Sequence, residues 1–455
     1  MARPQWLERL FPSVKPLPKG MHQYRTPANA EERFRLHLRV EEDGSGILVI
    51  NAARVLHLNQ TATEIAKLIV EEKGPDEAAR EIARRYRVKR DQARADYLEL
   101  RDKIMVLAST DEICPITYLD VQRIDPFQTP ASAPYRMDLA LTYACNDDCG
   151  HCYVDRPRDY PQISFEEWKQ VIDRCWEAGI PHITFTGGEA TLYPQLRELI
   201  EHAEEVGLVT GLLTNGRKLA DRAYLDGLLE AGLDHIQITI ESHDEAIHDQ
   251  MVCTPGAWKE TVQGIRNSVA ADVYLMTNTT LTDVNVPGIV DTIDFIADLG
   301  VQTVACNGLI YAGRGADVGI GIPEADLEPI MVRVQQKAQE RNLRLIWYTP
   351  TRYCEFNPLE HDLGVKGCSA ARYNMCVEPN GDVIPCQSYF QSMGNILRDS
   401  WESIWDSTLA HDLRSREWLP ERCTDCADRE VCGGGCPLYV KEGEYQCRDS
   451  QNTAG

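Results

Sequence analysis

Leu139-Ala140-Leu141-Thr142-Tyr143-Ala144-Cys145-Asn146-Asp147-Asp148-Cys149-Gly150-His151-Cys152-Tyr153 is the stretch on which the reading of this chain turns. Its short apolar run reads as a strand, which delivers three cysteines at spacing C-x3-C-x2-C onto a loop. Thiols this close can face one metal centre, and thiolates are the standard ligands of iron–sulfur clusters. A cubane has four corners to fill. Three cysteines leave one iron open to something that reacts. A zinc loop, or a set of inert thiols, is the plainer alternative.

The loop resembles that of the radical S-adenosylmethionine (SAM) superfamily. In that family the residue before the last cysteine is usually aromatic, and His151 holds the place here. The resemblance implies a 4Fe–4S cluster on Cys145, Cys149 and Cys152 that binds SAM at its open iron, with His151 beside the cofactor. The radical would arise at that cluster, and no separate catalytic side chain is assigned.

Outward from the loop, strand-like and helix-like stretches alternate through residues 135–345. Strands are expected over residues 137–143, 182–186, 209–213, 235–240, 273–281 and 303–309. Helices are expected between and after them, the first opened by Ser164-x-x-Glu167 as a capping box. About six β/α units require a parallel sheet. The fold class is therefore α/β, and the resemblance makes it a partial (β/α)6 barrel of the TIM type. Chemistry in such barrels sits at the carboxyl ends of the strands.

Thr186-Gly187-Gly188-Glu189 falls at such an end. By resemblance, Gly187, Gly188 and Glu189 hold the amino group of SAM: glycines let backbone come close, and a carboxylate or carbonyl meets the ammonium. Thr214 and Asn215 end the third strand where relatives place polar contacts to SAM, and Thr239 matches a Ser used near its carboxylate. Each of these could instead cap a helix. After His248-Asp249, many relatives carry an Arg that pairs with the carboxylate; Met251-Val252 stand near that place here. Arg314, in Tyr311-Ala312-Gly313-Arg314-Gly315, is the candidate substitute.

The second cysteine pattern lies in residues 346–455. Cys368 and Cys386 flank Gly381, and then come Cys423-x2-Cys426-x5-Cys432-x3-Cys436 and Cys447. This resembles the SPASM motif of subtilosin, pyrroloquinoline quinone, anaerobic sulfatase and mycofactocin maturases. The resemblance assigns Cys368, Cys386 and Cys436 to one auxiliary 4Fe–4S cluster and Cys423, Cys426, Cys432 and Cys447 to another, three clusters in all. Cys354 could complete the first; Cys376 competes with it, or a corner stays open for substrate. Pro379-Asn380-Gly381-Asp382 reads as a hairpin turn, and Trp401, Ile404 and Trp405 as a core helix face. Cys114, Cys175, Cys253 and Cys306 read as core or surface thiols.

Ahead of the barrel, residues 1–33 read as an extension and residues 109–134 as a linker. Between them, residues 34–108 carry a strand at Leu36, Leu38 and Val40, a turn at Asp43-Gly44-Ser45-Gly46, strands over 47–50 and 54–58, and three helical patterns. Thr61 and Glu64 read as a capping box opening the first helix. This winged-helix-like order resembles the RiPP recognition element, the domain similar to the peptide chaperone of pyrroloquinoline quinone synthesis, where RiPP denotes a ribosomally made, post-translationally modified peptide. Such domains take a leader peptide as an added strand.

The totals bound the alternatives. At 455 residues the chain needs two or three domains. Its net charge of −23 argues against non-specific binding to nucleic acid or an anionic membrane. No apolar window is long enough to span a bilayer, and no secretory pattern opens the chain, so a cytoplasmic location is expected. Sixteen cysteines there point to metal ligation in a reduced setting rather than to disulfides. The expectation is a radical SAM peptide maturase that modifies a precursor peptide bound by its leader, with electrons from a ferredoxin or flavodoxin. The alternatives are a maturase of a folded protein, of sulfatase or amine dehydrogenase type, and a redox-sensing DNA regulator using Arg84, Arg85 and Arg87.

Overall fold

The computed structural model describes residues 14–27, 30, 34–52, 54–109, 131–271 and 273–439. Cys114 and Cys447 lie outside the described residues. The chain divides into two compact units, Met1–Ile124 and Asp125–Gly455.

The first unit is a four-stranded antiparallel sheet in chain order, followed by three helices. Its strands are β1 (Gly20–Arg25), β2 (Arg35–Val40), β3 (Gly46–Ile50) and β4 (Arg54–Leu58). The helices are α1 (Gln60–Val70), α2 (Pro75–Tyr86) and α3 (Arg90–Ser109). Leu36, Leu38, Val40, Leu48 and Ile50 are buried against Ile65, Ile69, Ile82, Tyr97 and Leu107. Strand β1 lies in the stretch read as an extension. Gly20-Met21-His22-Gln23-Tyr24-Arg25 lacks the alternation that marks a strand, and pairing with β2 makes it one. The first helix is not opened by Thr61 and Glu64. Asn59 is the N-cap, its side chain accepting from the Ala62 N–H at 2.9 Å, because an Asn two residues earlier caps equally well. Glu64 is thereby freed to pair with Arg85, one of the three arginines the DNA-binding alternative relied on.

The second unit is one nine-stranded sheet. Its strands are β5 (Arg136–Thr142), β6 (His182–Gly187), β7 (Val209–Thr214), β8 (His235–Thr239), β9 (Tyr274–Leu281), β10 (Thr303–Gly308), β11 (Arg344–Trp347), β12 (Asn374–Val377) and β13 (Val383–Ile384). The spatial order is β11-β10-β9-β8-β7-β6-β5-β12-β13, parallel throughout except for the last pair. Helices α4 (Phe165–Glu177), α5 (Leu196–Val206), α6 (Arg222–Glu230), α7 (Glu245–Val252), α8 (Ala257–Val269), α9 (Ile289–Asp298) and α10 (Glu328–Glu340) connect the strands. Met137, Leu139, Leu141, Ile183, Phe185, Leu212, Ile236 and Val304 point to one face and form the main core with Trp168, Ile172, Leu199 and Ile265 of the helices. The residues between them face the inside of the curved sheet: Asp138 and Ala140, Thr184 and Thr186, Thr239, Asn278 and Asn307.

The Ser164–Glu167 capping box forms with both halves present. Strand β12 belongs to the cysteine-rich segment yet pairs in parallel with β5, so that segment continues the barrel's own sheet. The Pro379–Asp382 turn closes the β12–β13 hairpin, with Glu378 N–H donating to the Asp382 carbonyl at 2.7 Å. Trp401 and Trp405 stack at 5.8 Å on helix α11 (Trp401–Trp405), beside buried Ile404. Among the described residues no helix is long and apolar enough to cross a membrane.

Candidate cluster and cofactor site

The cysteine loop leaves the carboxyl end of β5 and is tied at once to the end of β6. Gly188 N–H donates to the Thr142 carbonyl at 2.7 Å, and Glu189 N–H to the Ala144 carbonyl at 2.9 Å. Both glycines are required by this approach. A Cβ on Gly187 would lie 2.1 Å from the Thr142 carbonyl oxygen, and one on Gly188 would lie 2.5 Å from that of Tyr143. Gly187 also has φ of +139°.

Glu189 is 1% exposed. Its carboxylate accepts from Thr191 N–H (3.0 Å), Thr191 Oγ1 (2.6 Å), Thr214 Oγ1 (2.7 Å) and Asn215 N–H (2.8 Å). Burial pushes its pKa up, and these donors oppose the shift. Asn215 Nδ2 reaches back to Asn146 Oδ1 at 2.7 Å and Asp147 Oδ2 at 3.0 Å. Gly187, Gly188, Glu189, Thr214 and Asn215 are thus brought together with the cysteine loop in one network. Thr239, the last residue of β8, makes no side-chain bond to that network among the described residues.

Three features here were not picked out in the sequence. Glu241, 1% exposed just beyond β8, accepts from Thr280 N–H at 2.9 Å and pairs with His151 Nε2 at 3.0 Å. Burial lowers the pKa of His151, but the Glu241 carboxylate outweighs it and the imidazole titrates above its usual value. The visible signal was an acid at the end of an apolar strand. Arg217 pairs with Asp147 (2.6 Å), and Arg158 with Asp148 (2.8 Å). Arg314 also meets Asp148, at 2.8 Å. Met251 and Val252 are buried, and their carbonyls accept from Gly150 N–H (3.1 Å) and Asp148 N–H (3.0 Å), so the end of α7 packs on the cysteine loop.

Burial, first, and nearby acids push the Cys145 thiol up to about 12 and the Cys149 thiol well above its ordinary value. Any metal bound there would have to displace the protons these thiols hold. Among the described residues no group of three or more His, Cys, Asp or Glu is drawn in to the distance of a single shared ion. A cubane asks for less, one sulfur at each separate iron.

In the cysteine-rich segment, burial pushes up the thiols of Cys368, Cys386 and Cys436; Cys386 is raised further by Cys368, and Cys436 by both. Cys432 stands in the same relation to Cys423 and Cys426. Cys376 is buried with Ala140, Tyr143 and Ile384; burial, then Asp138 and Cys386, push its thiol well above its ordinary value. Residue 353, beside Cys354, donates its N–H to Cys432 Sγ at 3.4 Å, which puts that stretch on the second group. Cys354 is disulfide-bonded, and the other described cysteines are free. Cys175 and Cys306 are core thiols and Cys253 is exposed. Tyr143 and Arg156, flanking the cysteine loop, both bond Glu378 next to β12, at 3.2 and 2.9 Å, and so join the two cysteine regions.

Comparison with known proteins follows the same division. Residues 139–296 match the radical SAM superfamily, 368–427 the SPASM iron–sulfur cluster-binding domain, and 46–104 coenzyme PQQ synthesis protein D. The chain is 27% identical to the PqqA peptide cyclase of Bradyrhizobium diazoefficiens over 319 residues, which is 67% of this chain and 81% of that one. It is 27% identical to the AdoMet-dependent heme synthase of Methanosarcina barkeri over 332 residues, 69% of this chain and 95% of that one. Its fold is that of Streptococcus suis SuiB crystallised with precursor peptide SuiA: TM-score 0.67, 17% identity, 90% of this chain and 97% of that chain. It is also similar to anSMEcpe bound to AdoMet and a peptide: TM-score 0.56, 18% identity, 69% of this chain and 92% of that chain.

Proposed function

We propose that this chain, which combines a radical SAM domain, an SPASM domain and a PqqD domain, is a peptide maturase. It installs a cross-link or related modification in a ribosomally made precursor peptide gripped by its leader. The observation that carries this is the joining of the cysteine loop to Gly187-Gly188-Glu189 at the carboxyl end of a parallel sheet, in a chain with a separate sheet-and-helix unit. The names of the Bradyrhizobium relative and of the SuiB complex support the peptide part of the reading.

When bound, a 4Fe–4S cluster carrying SAM supplies a 5′-deoxyadenosyl radical able to take hydrogen from an unactivated carbon. The chain's own residues do the positioning. Cys145, Cys149 and Cys152 offer the sulfurs. Glu189, Thr214 and Asn215 hold the loops around them in one geometry, and Gly187 and Gly188 leave backbone bare for the amino group of SAM. Cys368, Cys386 and Cys436, with Cys376 or an open corner, would hold one auxiliary cluster; Cys354, disulfide-bonded and beside the second group, does not complete it. Cys423, Cys426, Cys432 and Cys447 hold the other. Clusters held there would supply electron transfer from or to the substrate, and a ferredoxin or flavodoxin in the cytoplasm would supply the reducing electron. In the first unit, an outer strand of the sheet takes the extended leader as an added strand. Maturation of a folded protein is the runner-up; it leaves the PqqD domain without a task.

The test is anaerobic reconstitution with iron and sulfide, then incubation with SAM, reductant and the short peptides encoded beside the gene. The reading expects 5′-deoxyadenosine together with a mass change in one peptide, both abolished by Cys149→Ala. Equal SAM turnover in that variant, or a peptide processed as well without its leader, would overturn it.

A further inference from the structure

Three arginines converge on the cysteine loop, and they do not do the same thing. Arg158 donates to the Cys145 carbonyl (2.9 Å), the Asp147 carbonyl (2.5 Å) and Asp148 Oδ1 (2.8 Å). Arg217 donates to the Asn146 carbonyl (2.5 Å), Asp147 Oδ1 (2.6 Å) and Glu260 Oε2 (2.6 Å). Both grip backbone and acids. Arg314 sits on the turn after β10, whose Gly315 N–H donates to the Cys152 carbonyl at 3.2 Å. Its Nη1 is anchored on Asp148 Oδ1 at 2.8 Å, and the Cys152 thiol is near enough to help hold its pKa up. Asp148 is thus a shared anchor: Arg158 steadies it from one side, and it steadies Arg314 from the other.

We propose that Arg314 is a positioning residue that sets the charge at the Cys152 corner of the cluster, while Arg158 and Arg217 only fix the shape of the loop. Reduction adds an electron, and the added charge spreads over the irons and their sulfurs. A fixed cation beside a ligating sulfur favours the reduced state over the oxidised one. The need is local. Asp147, Glu189 and Glu241 surround these thiols in a chain of net charge −23, and all of them oppose reduction.

This rests on the cluster assignment above, and the experiment separates the two. Wild type, Arg314→Gln, Arg314→Lys and Arg158→Gln are reconstituted anaerobically. Iron per chain is measured, and the SAM-responsive paramagnetic signal is titrated against potential. Wild type without that signal sinks the cluster assignment itself. With wild type loaded, Arg314→Gln is expected to keep its iron, to shift to a more negative midpoint and to show at least a tenfold smaller reduced fraction at a fixed potential near the wild-type midpoint. Arg314→Lys recovers most of the shift, and Arg158→Gln leaves the midpoint in place while retaining less iron. Arg314 is about half exposed, so the wild-type advantage shrinks as ionic strength rises. An unshifted Arg314→Gln overturns the proposal, as does an equal shift in Arg158→Gln. If Arg314→Gln holds no iron, the lysine variant decides: loaded with a near-wild-type midpoint upholds the charge role, and a second loss of iron overturns it.

Discussion

At Glu189 a single carboxylate does work that its motif did not disclose. The sequence placed it against SAM; the structure gives its two oxygens four protein donors. Its task in this geometry is to lock the ends of β6 and β7 to each other. Glu189→Gln keeps the shape but turns one acceptor into a donor that faces donors. Losing a charge-assisted bond costs about 1.5–3 kcal/mol, or roughly 10- to 100-fold. The variant should therefore load iron normally yet cleave SAM 10- to 100-fold more slowly, mainly through a raised KM for SAM. Unchanged kinetics would show that the four bonds are dispensable. The residues of this site were legible because glycine pairs, an acid and cysteines at fixed spacing are rare in such company. Which of them touch each other was not, since most of the partners are 25 to 90 positions apart.

Among the connecting helices, two interior glycines look alike in sequence and differ in space. An alanine Cβ at Gly227, on α6, would meet only the Arg197 side chain, at 3.9 Å. On α8, the same change at Gly264 would put Cβ 2.2 Å from the Gly216 carbonyl oxygen. Gly227→Ala should gain the usual helix preference, about 0.5–1 kcal/mol, and raise the thermal midpoint. Gly264→Ala should lower it despite the same local gain. A second element-level prediction concerns the amino ends of β6 and β8, where the His182 and His235 rings meet at 2.8 Å between nitrogens. Burial, helped by the Arg136 charge, pushes His235 down to about 4. The unfolded chain binds that proton from about pH 6.5. Stability from this group is therefore full above pH 6.5, falls as pH drops toward 4 and is flat below. The thermal midpoint of His235→Asn should fall less steeply than that of wild type between pH 6.5 and 4.5. Capping shows the limit of local reading: Ser164 and Glu167 behaved as their spacing suggests, while Asn59 displaced Thr61.

The whole chain is two units with separate cores, and its proposed chemistry divides the same way. Removing residues 1–124 should leave SAM cleavage within a few-fold of the full chain, because the cysteine loop and its network lie wholly in the second unit. Peptide modification should fall at least tenfold, since the leader no longer concentrates the core peptide at the barrel. Undiminished modification by the shortened chain would remove the first unit from the mechanism. Within the second unit, Cys426→Ala should still form 5′-deoxyadenosine but release no modified peptide, as judged by mass spectrometry. The cysteine-rich segment is not a detachable module in this geometry, because β12 continues the sheet from β5.

From its residues alone the chain gave up its α/β class, the parallel strands, the two cysteine groups and the helix-and-sheet unit ahead of them. Those features are written in periodicity and short spacings, which are local properties of a chain. Tertiary structure alone decided that Gly20–Arg25 is a strand, that Glu189 is sealed within a protein network, that Cys376 is buried with Ala140 and Tyr143, and that the Arg314 turn bonds both Asp148 and the Cys152 backbone. Each of these depends on groups far apart in sequence meeting in a dense interior. Packing brings such groups together, and no short pattern records it.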